Sequence, residues 1–203
     1  MNSGSLSEDV LSAIKRQFPT ASDREAEDIY LIVSAACQST TQVKASLVLT
    51  APPSFRVRTQ STKNTVEKMI DDAKQSILIT GYSMSEYFDD TVEKIIKKSQ
   101  EGVLIKFFVN DIESQPRFEK ICRYKGRYLH IYNYKKSDDS MSALHAKVIS
   151  TDKRFSLISS ANLSYHGQIG NIELGTLIES YSLAKQLEEV FTELLFEKVF
   201  VEV

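Results

Sequence analysis

The chain has 203 residues, a formal net charge of −2 and hydrophobic residues at 42%. That length suits one domain with an appended segment and a core large enough to need no staples. No apolar run approaches the ~20 residues of a membrane span, no basic-then-apolar leader opens the chain, and Cys37 and Cys122 form neither a metal-like nor a redox pair, so a cytoplasmic protein without a membrane segment is expected.

The first 58 residues read as a helical segment. Ser5-x-x-Glu8 and Ser22-x-x-Glu25 have the spacing of capping boxes, Leu6, Val10, Leu11 and Ile14 share one helical face, and Pro19 stops that helix. A second helix is predicted from about Asp23 to Cys37 and a third from about Thr41 to Leu49, ended by Pro52-Pro53. Residues 50–60 read as a linker or an edge strand. From 59 to 203 helical and strand patterns alternate. Val66, Met69, Ile70 and Ala73 make a helical face, Ile77–Thr80 a short strand, and Tyr87, Phe88, Val92, Ile95 and Ile96 the next helical face. Val103–Val109 reads as a buried strand, about Pro116–Lys125 as a charged helix, and Tyr128–Tyr134 as an alternating strand. Three more strands, Ala146–Ser150, Phe155–Ser159 and Glu173–Ile178, precede a final helix packed through Leu183, Leu187, Val190, Phe191, Leu194 and Leu195. This order predicts an α/β layered domain with a mixed β-sheet flanked by helices, and no internal repeat.

The chemistry concentrates in His145-x-Lys147-x4-Asp152, followed by Ser159-Ser160-Ala161-Asn162 and Asn171-x-Glu173. Residues two apart on a strand project from one face, so His145 stands beside a cation able to neutralise a phosphate oxygen. Ser160 and Asn162, sharing a face near the next strand's end, add a hydroxyl and an amide. Phosphoryl transfer needs charge stabilisation and in-line positioning, and this set supplies both with no metal and no cofactor. Asp152, in the tight connection between two strands, is expected to be structural, fixing the turn. A carboxylate at Glu173 bonded to one imidazole nitrogen would orient the other for attack.

The stretch Leu144–Ile178 resembles the HKD region of the phospholipase D superfamily. Leu144-His145-Ala146-Lys147, Ser159–Ser164 and Asn171–Gly175, together with the N-terminal helices, are similar to the phospholipase D-like proteins of bacterial DISARM antiphage systems. The resemblance implies that His145 attacks phosphorus and forms a phosphohistidine, that Lys147 and Asn162 hold the phosphate with help from Ser160, and that Glu173 orients His145. The motif occurs once, whereas enzymes of that superfamily build a site from two copies. A homodimer with a shared site is therefore implied, with further defence-system subunits as partners. One departure is Ser159, where the superfamily usually has glycine.

Seven basic residues against one acid between Gln115 and Lys136 suit a polyanion near the motif. Tyr128, His130, Tyr132 and Tyr134 share a strand face there. Arg127, Tyr132, Lys135 and Lys136 are the candidate nucleic-acid contacts, with the polar loop 135–141 as a rim. Three functions follow: a nuclease, with DNA the expected substrate; a catalytically quiet nucleic-acid-binding or scaffold subunit of a defence complex; and a lipid-acting phospholipase. The third lacks the second motif and the apolar insertions such enzymes carry.

Overall fold

The computed structural model describes residues 6–39, 43–52, 54, 57–82, 89–113, 115, 118–135 and 142–203. It divides into Met1–Gln42 and Val43–Val203. The first unit pairs helix α1 (Leu6–Gln17) with α2 (Asp23–Ser39), and Pro19 falls in the turn between them. α2 begins at a capping box. Ser22 donates from its backbone N and its Oγ to Glu25 Oε2 at 2.8 and 2.7 Å, and Glu25 N donates back to Ser22 Oγ at 3.4 Å. Ser5, Tyr87, Phe88 and the side chain of Cys37 lie outside the described residues. No described helix is long and apolar enough to cross a membrane.

The third helix predicted near Thr41–Leu49 is instead strand β1 (Lys44–Thr50), paired antiparallel with β8 (Glu173–Glu179) over seven residues. A short apolar run fits either state, and here a long partner strand decides it. The structural division therefore falls at residue 42, ahead of the boundary placed at 58, because β1 belongs to the sheet.

That sheet has nine strands, in the order β2-β1-β8-β7-β6-β3-β4-β5-β9. β2 is Gln60–Ser61, β3 Ser76–Gly81, β4 Leu104–Val109, β5 Leu129–Tyr134, β6 Lys147–Thr151, β7 Phe155–Ser159 and β9 Phe200–Glu202. β3, β4 and β5 run parallel, joined through α4 (Asp89–Gln100) and α5 (Phe118–Cys122). Their alternation sorts the core into two layers. Ile77, Ile79, Ile105, Phe107, Leu129 and Ile131 pack under α3 (Thr62–Asp72), α4 and α5. Leu78, Phe108 and Tyr132 pack on the opposite face against Phe191 of α6 (Tyr181–Phe196). The expected mixed sheet flanked by helices is the fold observed.

β6 runs antiparallel to β3, so its first residue arrives beside the last residues of β3. Its far end is anchored by Asp152. That carboxylate accepts from the backbone N–H groups of Lys74, Gln75 and Ser76 at 2.7–3.1 Å, while Asp152 N donates to Ser76 O at 2.9 Å. The whole of β6 and Ala146, roughly 20 Å of extended chain, separate it from His145. Asp152 also sits at φ 54°, in the left-handed region that Asp and Asn tolerate. Replacing it with Ala should lower unfolding stability by about 2 kcal/mol, and with Asn by about half as much, since one acceptor oxygen remains. Urea unfolding midpoints check this; an unchanged midpoint for Asp152→Ala would sink the anchoring role.

Candidate functional site

The His145–Lys147 stretch is pinned by side chains from neighbouring strands. Beyond the Ile79–Ile149 pair the β3–β6 ladder gives way to Thr80, 2% exposed, whose hydroxyl serves both flanks of Lys147. Thr80 Oγ1 donates to Ala146 O at 2.6 Å and accepts from Val148 N at 2.9 Å. Upstream, Leu144 N donates to Asn110 Oδ1, just past β4, at 2.8 Å. His145 is thus an exposed side chain on a fixed backbone. Its ring meets Tyr82 edge to face, with centroids 4.7 Å apart and planes at 75°. Lys147 Nζ lies 5.0 Å from the same tyrosine's centroid and donates to His145 O at 2.7 Å. Partial burial pushes the Lys147 ammonium below its ordinary pKa, and the negative charge of Glu173 opposes that shift.

Ser159, Ser160 and Asn162 close the site from β7. Ser159 pairs with Gly175 of β8, and its Oγ accepts from Ala161 N at 3.0 Å, shaping the turn toward Asn162. A Cβ on Gly175 would stand 2.9 Å from Ser159 Cβ and Oγ. Serine therefore takes the space that glycine leaves on the facing strand. Ser160 N donates to Leu174 O at 3.2 Å, and Ser160 Oγ donates to Glu173 Oε2. The other carboxylate oxygen, Glu173 Oε1, accepts from Asn171 Nδ2 at 3.0 Å. Glu173 is expected to orient His145, but among the described residues no hydrogen bond joins the two.

Asn162 is set by a turn that sequence reasoning missed. The π-helical turn His166–Gly170 presses Gly167 against the Asn162 backbone so closely that a Cβ there would lie 2.3 Å from Asn162 O. Gln168 Nε2 donates to the same carbonyl at 3.1 Å, and Thr50 of β1 donates to Gly167 O at 2.8 Å. The Asn162 Oδ1 atom is buried and has no partner among the described residues, an exception of the kind that functional sites hold. Thr80, Tyr82, Thr50 and Gly167 carry no local motif; only the strand order brings them to this end of the sheet.

The basic and aromatic candidates separate. Tyr132 is 9% exposed and stacks on Phe108 at 5.0 Å, and burial pushes its phenol pKa up. It is a core residue and offers no face to a base, which corrects its placement among the nucleic-acid contacts. Arg127 precedes β5, at the opposite end of the sheet from His145, with its guanidinium 5.2 Å over the Tyr128 ring. It too leaves the candidate interface. Lys135 follows β5 at the same end as His145 and is exposed. Its strand lies three positions from β6, roughly 14 Å. His130 Nδ1 is 2.7 Å from Glu202 Oε1, in a sheet-edge pair remote from the site. Lys136 and the rim from 136 to 141 lie outside the described residues.

Residues 66–195 match the family model for the cardiolipin synthase, PLD-like domain. The chain is 34% identical over 188 residues to the DISARM protein DrmC of Bacillus paralicheniformis, covering 89% of this chain and 77% of that protein. Nuc, a phospholipase D family member from Salmonella typhimurium, superposes with a TM-score of 0.62 at 18% identity, over 80% of this chain and 99% of its own. NucT from Helicobacter pylori superposes at 0.63 and 16%, over 80% and 100%. At those identities the two structures share the fold.

The Ser159–Gly175 contact makes a reciprocal test. Gly175→Ala should destabilise the protein by about 2 kcal/mol, as overpacking does, and Ser159→Gly in the same chain should recover most of the loss. Thermal unfolding of the two single variants and the double variant checks this. Simple additivity would show that the two positions do not share space.

Proposed function

The chain belongs to the phospholipase D superfamily, and we propose that it is a metal-independent phosphodiesterase, a nuclease acting on DNA in bacterial antiphage defence. The convergence of His145, Lys147, Ser160 and Asn162 at one end of the sheet carries this reading. His145 attacks phosphorus, a P–N bond forms, and the leaving oxygen departs with a proton supplied by a second imidazole. Water, deprotonated by that second imidazole, then attacks the phosphohistidine and frees His145. Lys147 and the Asn162 amide hold the non-bridging oxygens. Glu173 fixes the Ser160 hydroxyl, with Asn171 bracing the carboxylate, and its charge favours the protonated form of the neighbouring Lys147.

The second imidazole is His145 of another copy. A homodimer is supported by the part of the sheet beyond α6, where Leu47, Ile158 and Leu174 share a face and are 60, 41 and 55% exposed. An apolar sheet face of this kind beside a reactive end suits a self-complementary contact. Kinship with the DISARM protein DrmC supports a place among defence proteins, with other subunits as partners. Lys135 is the described basic residue best placed for the nucleic-acid backbone.

Two outcomes are expected. In EDTA, single- or double-stranded DNA should be cleaved, and His145→Ala should slow cleavage by about 100-fold or more. A folded, dimeric protein that cuts neither DNA nor RNA would point to a catalytically quiet subunit. In solution the mass should lie near twice the 23.0 kDa of one chain, and a strict monomer would remove the shared site.

A further inference from the structure

We infer that Tyr82 is a positioning residue for both members of the His145–Lys147 pair, its ring forming the wall for the imidazole and the seat for the ammonium. The kinetic consequences rest on the phosphodiesterase reading; the geometry does not. Three contacts close a triangle: Tyr82 ring to His145 ring at 4.7 Å, Tyr82 ring to Lys147 Nζ at 5.0 Å, and Lys147 Nζ to His145 O at 2.7 Å.

The tyrosine is itself held. It follows Gly81, the last residue of β3, which pairs with Val109 of β4, and its carbonyl accepts from Gln115 Nε2 at 3.3 Å. Two residues earlier Thr80 grips Ala146 and Val148, so the register between Tyr82 and His145 cannot slip without breaking two hydrogen bonds of a buried hydroxyl. An exposed imidazole with no wall would sample its staggered rotamers freely. The carboxylate of Glu173 is engaged by Ser160 and Asn171, which leaves the aromatic contact as the described constraint on the His145 ring.

For Lys147 the ring face does electrostatic work. A cation over an aromatic face gains most where it is partly stripped of water. Thr62 of α3, Thr80 of β3 and Ser159 of β7, all uncharged, line the same small cavity as this lysine. Glu173 from β8 is the charged group that favours its protonated form, and His145 lies two residues ahead of it, before β6 begins. Tyr82 adds a second influence of the same sign. Replacing the ring with an alkyl chain keeps the burial and removes that influence, which lowers the pH at which Lys147 gives up its proton.

The test uses the full chain with Tyr82→Phe and Tyr82→Leu, bis(p-nitrophenyl) phosphate as substrate, and NMR of histidine- and lysine-labelled protein without substrate. Tyr82→Phe keeps the ring and should stay within about threefold of the parent kcat, while Tyr82→Leu should lose about tenfold in kcat with less change in KM. In the Leu variant the alkaline limb of the pH profile should move to lower pH. The ring-current displacement of the His145 signals should vanish, and the Lys147 amine should titrate earlier. Retention of the parent kcat, alkaline limb and His145 shifts by a folded Leu variant would overturn the inference, as would a Phe variant as impaired as Leu. A parent protein that turns over no phosphodiester, yet shows the Leu-specific NMR changes, upholds the positioning role and removes the phosphodiesterase reading.

Discussion

The antiparallel seating of β6 against β3 is the constraint on which the site depends. Three parallel strands deliver their C-terminal ends to one edge of the sheet, and only a strand of opposite direction can bring its first residues to that same edge. β6 does so, and it is clamped at both ends. Asp152 gathers three backbone amides ahead of β3 at the far end, and the Thr80 hydroxyl replaces the ladder at the near end. Both clamps are polar groups reading backbone atoms, so they fix register as well as proximity. A slip of one residue would turn Lys147 to the opposite face of the sheet. The aspartate of the motif thus serves the histidine from the far end of β6, roughly 20 Å away along the chain.

The motif residues were legible because their spacing is local. Strand periodicity and a tight turn suffice to carry His145, Lys147, Ser160 and Asn162 toward one edge. What surrounds them was not. Thr80 precedes Ala146 by 66 positions, and nothing in Ile77–Thr80 marks its last residue as more than the end of an apolar run. β1 misled for a related reason. Its apolar residues fit a helix as readily as a strand, and β8 lies more than a hundred positions away. Tyr132 shows the limit of a face-sharing pattern: His130, Tyr132 and Tyr134 alternate along β5, but Tyr132 packs into the apolar layer with Phe191 and Phe200. Arg127 failed on strand direction, since it enters β5 at the end opposite the site. Lys135, at the exit of the same strand, falls on the correct side.

Ser159 illustrates how a departure from a family pattern is absorbed. The turn after β7 needs room at one of two facing positions, not at a particular one. Gly175 supplies that room from β8, and the Ser159 hydroxyl uses it to bind Ala161 N, tightening the turn that presents Asn162. Gly167 repeats the device on the other side, where its missing side chain lets a π-helical turn lie against the Asn162 backbone. Two glycines from different elements thus frame one amide, and the geometry around Asn162 is built from absences of side chains as much as from their presence.

The electrostatics follow the same logic. A lysine drawn partly out of water holds its charge at some cost, visible in a pKa pushed down by burial. Below that lowered pKa the unfolded and folded chains both carry the proton, and the burial cost is borne in full. Between it and the ordinary lysine value the folded state has released a proton that the unfolded state keeps, so stability rises with pH across that window. The resting protein therefore keeps a cation in a place that disfavours it, relieved only in part by the Tyr82 ring and by a carboxylate shared with Ser160 and Asn171. A bound phosphodiester would supply the missing counter-charge at that point. An anion held beside Lys147 would offset that burial cost, so anion binding and protonation of the lysine are linked.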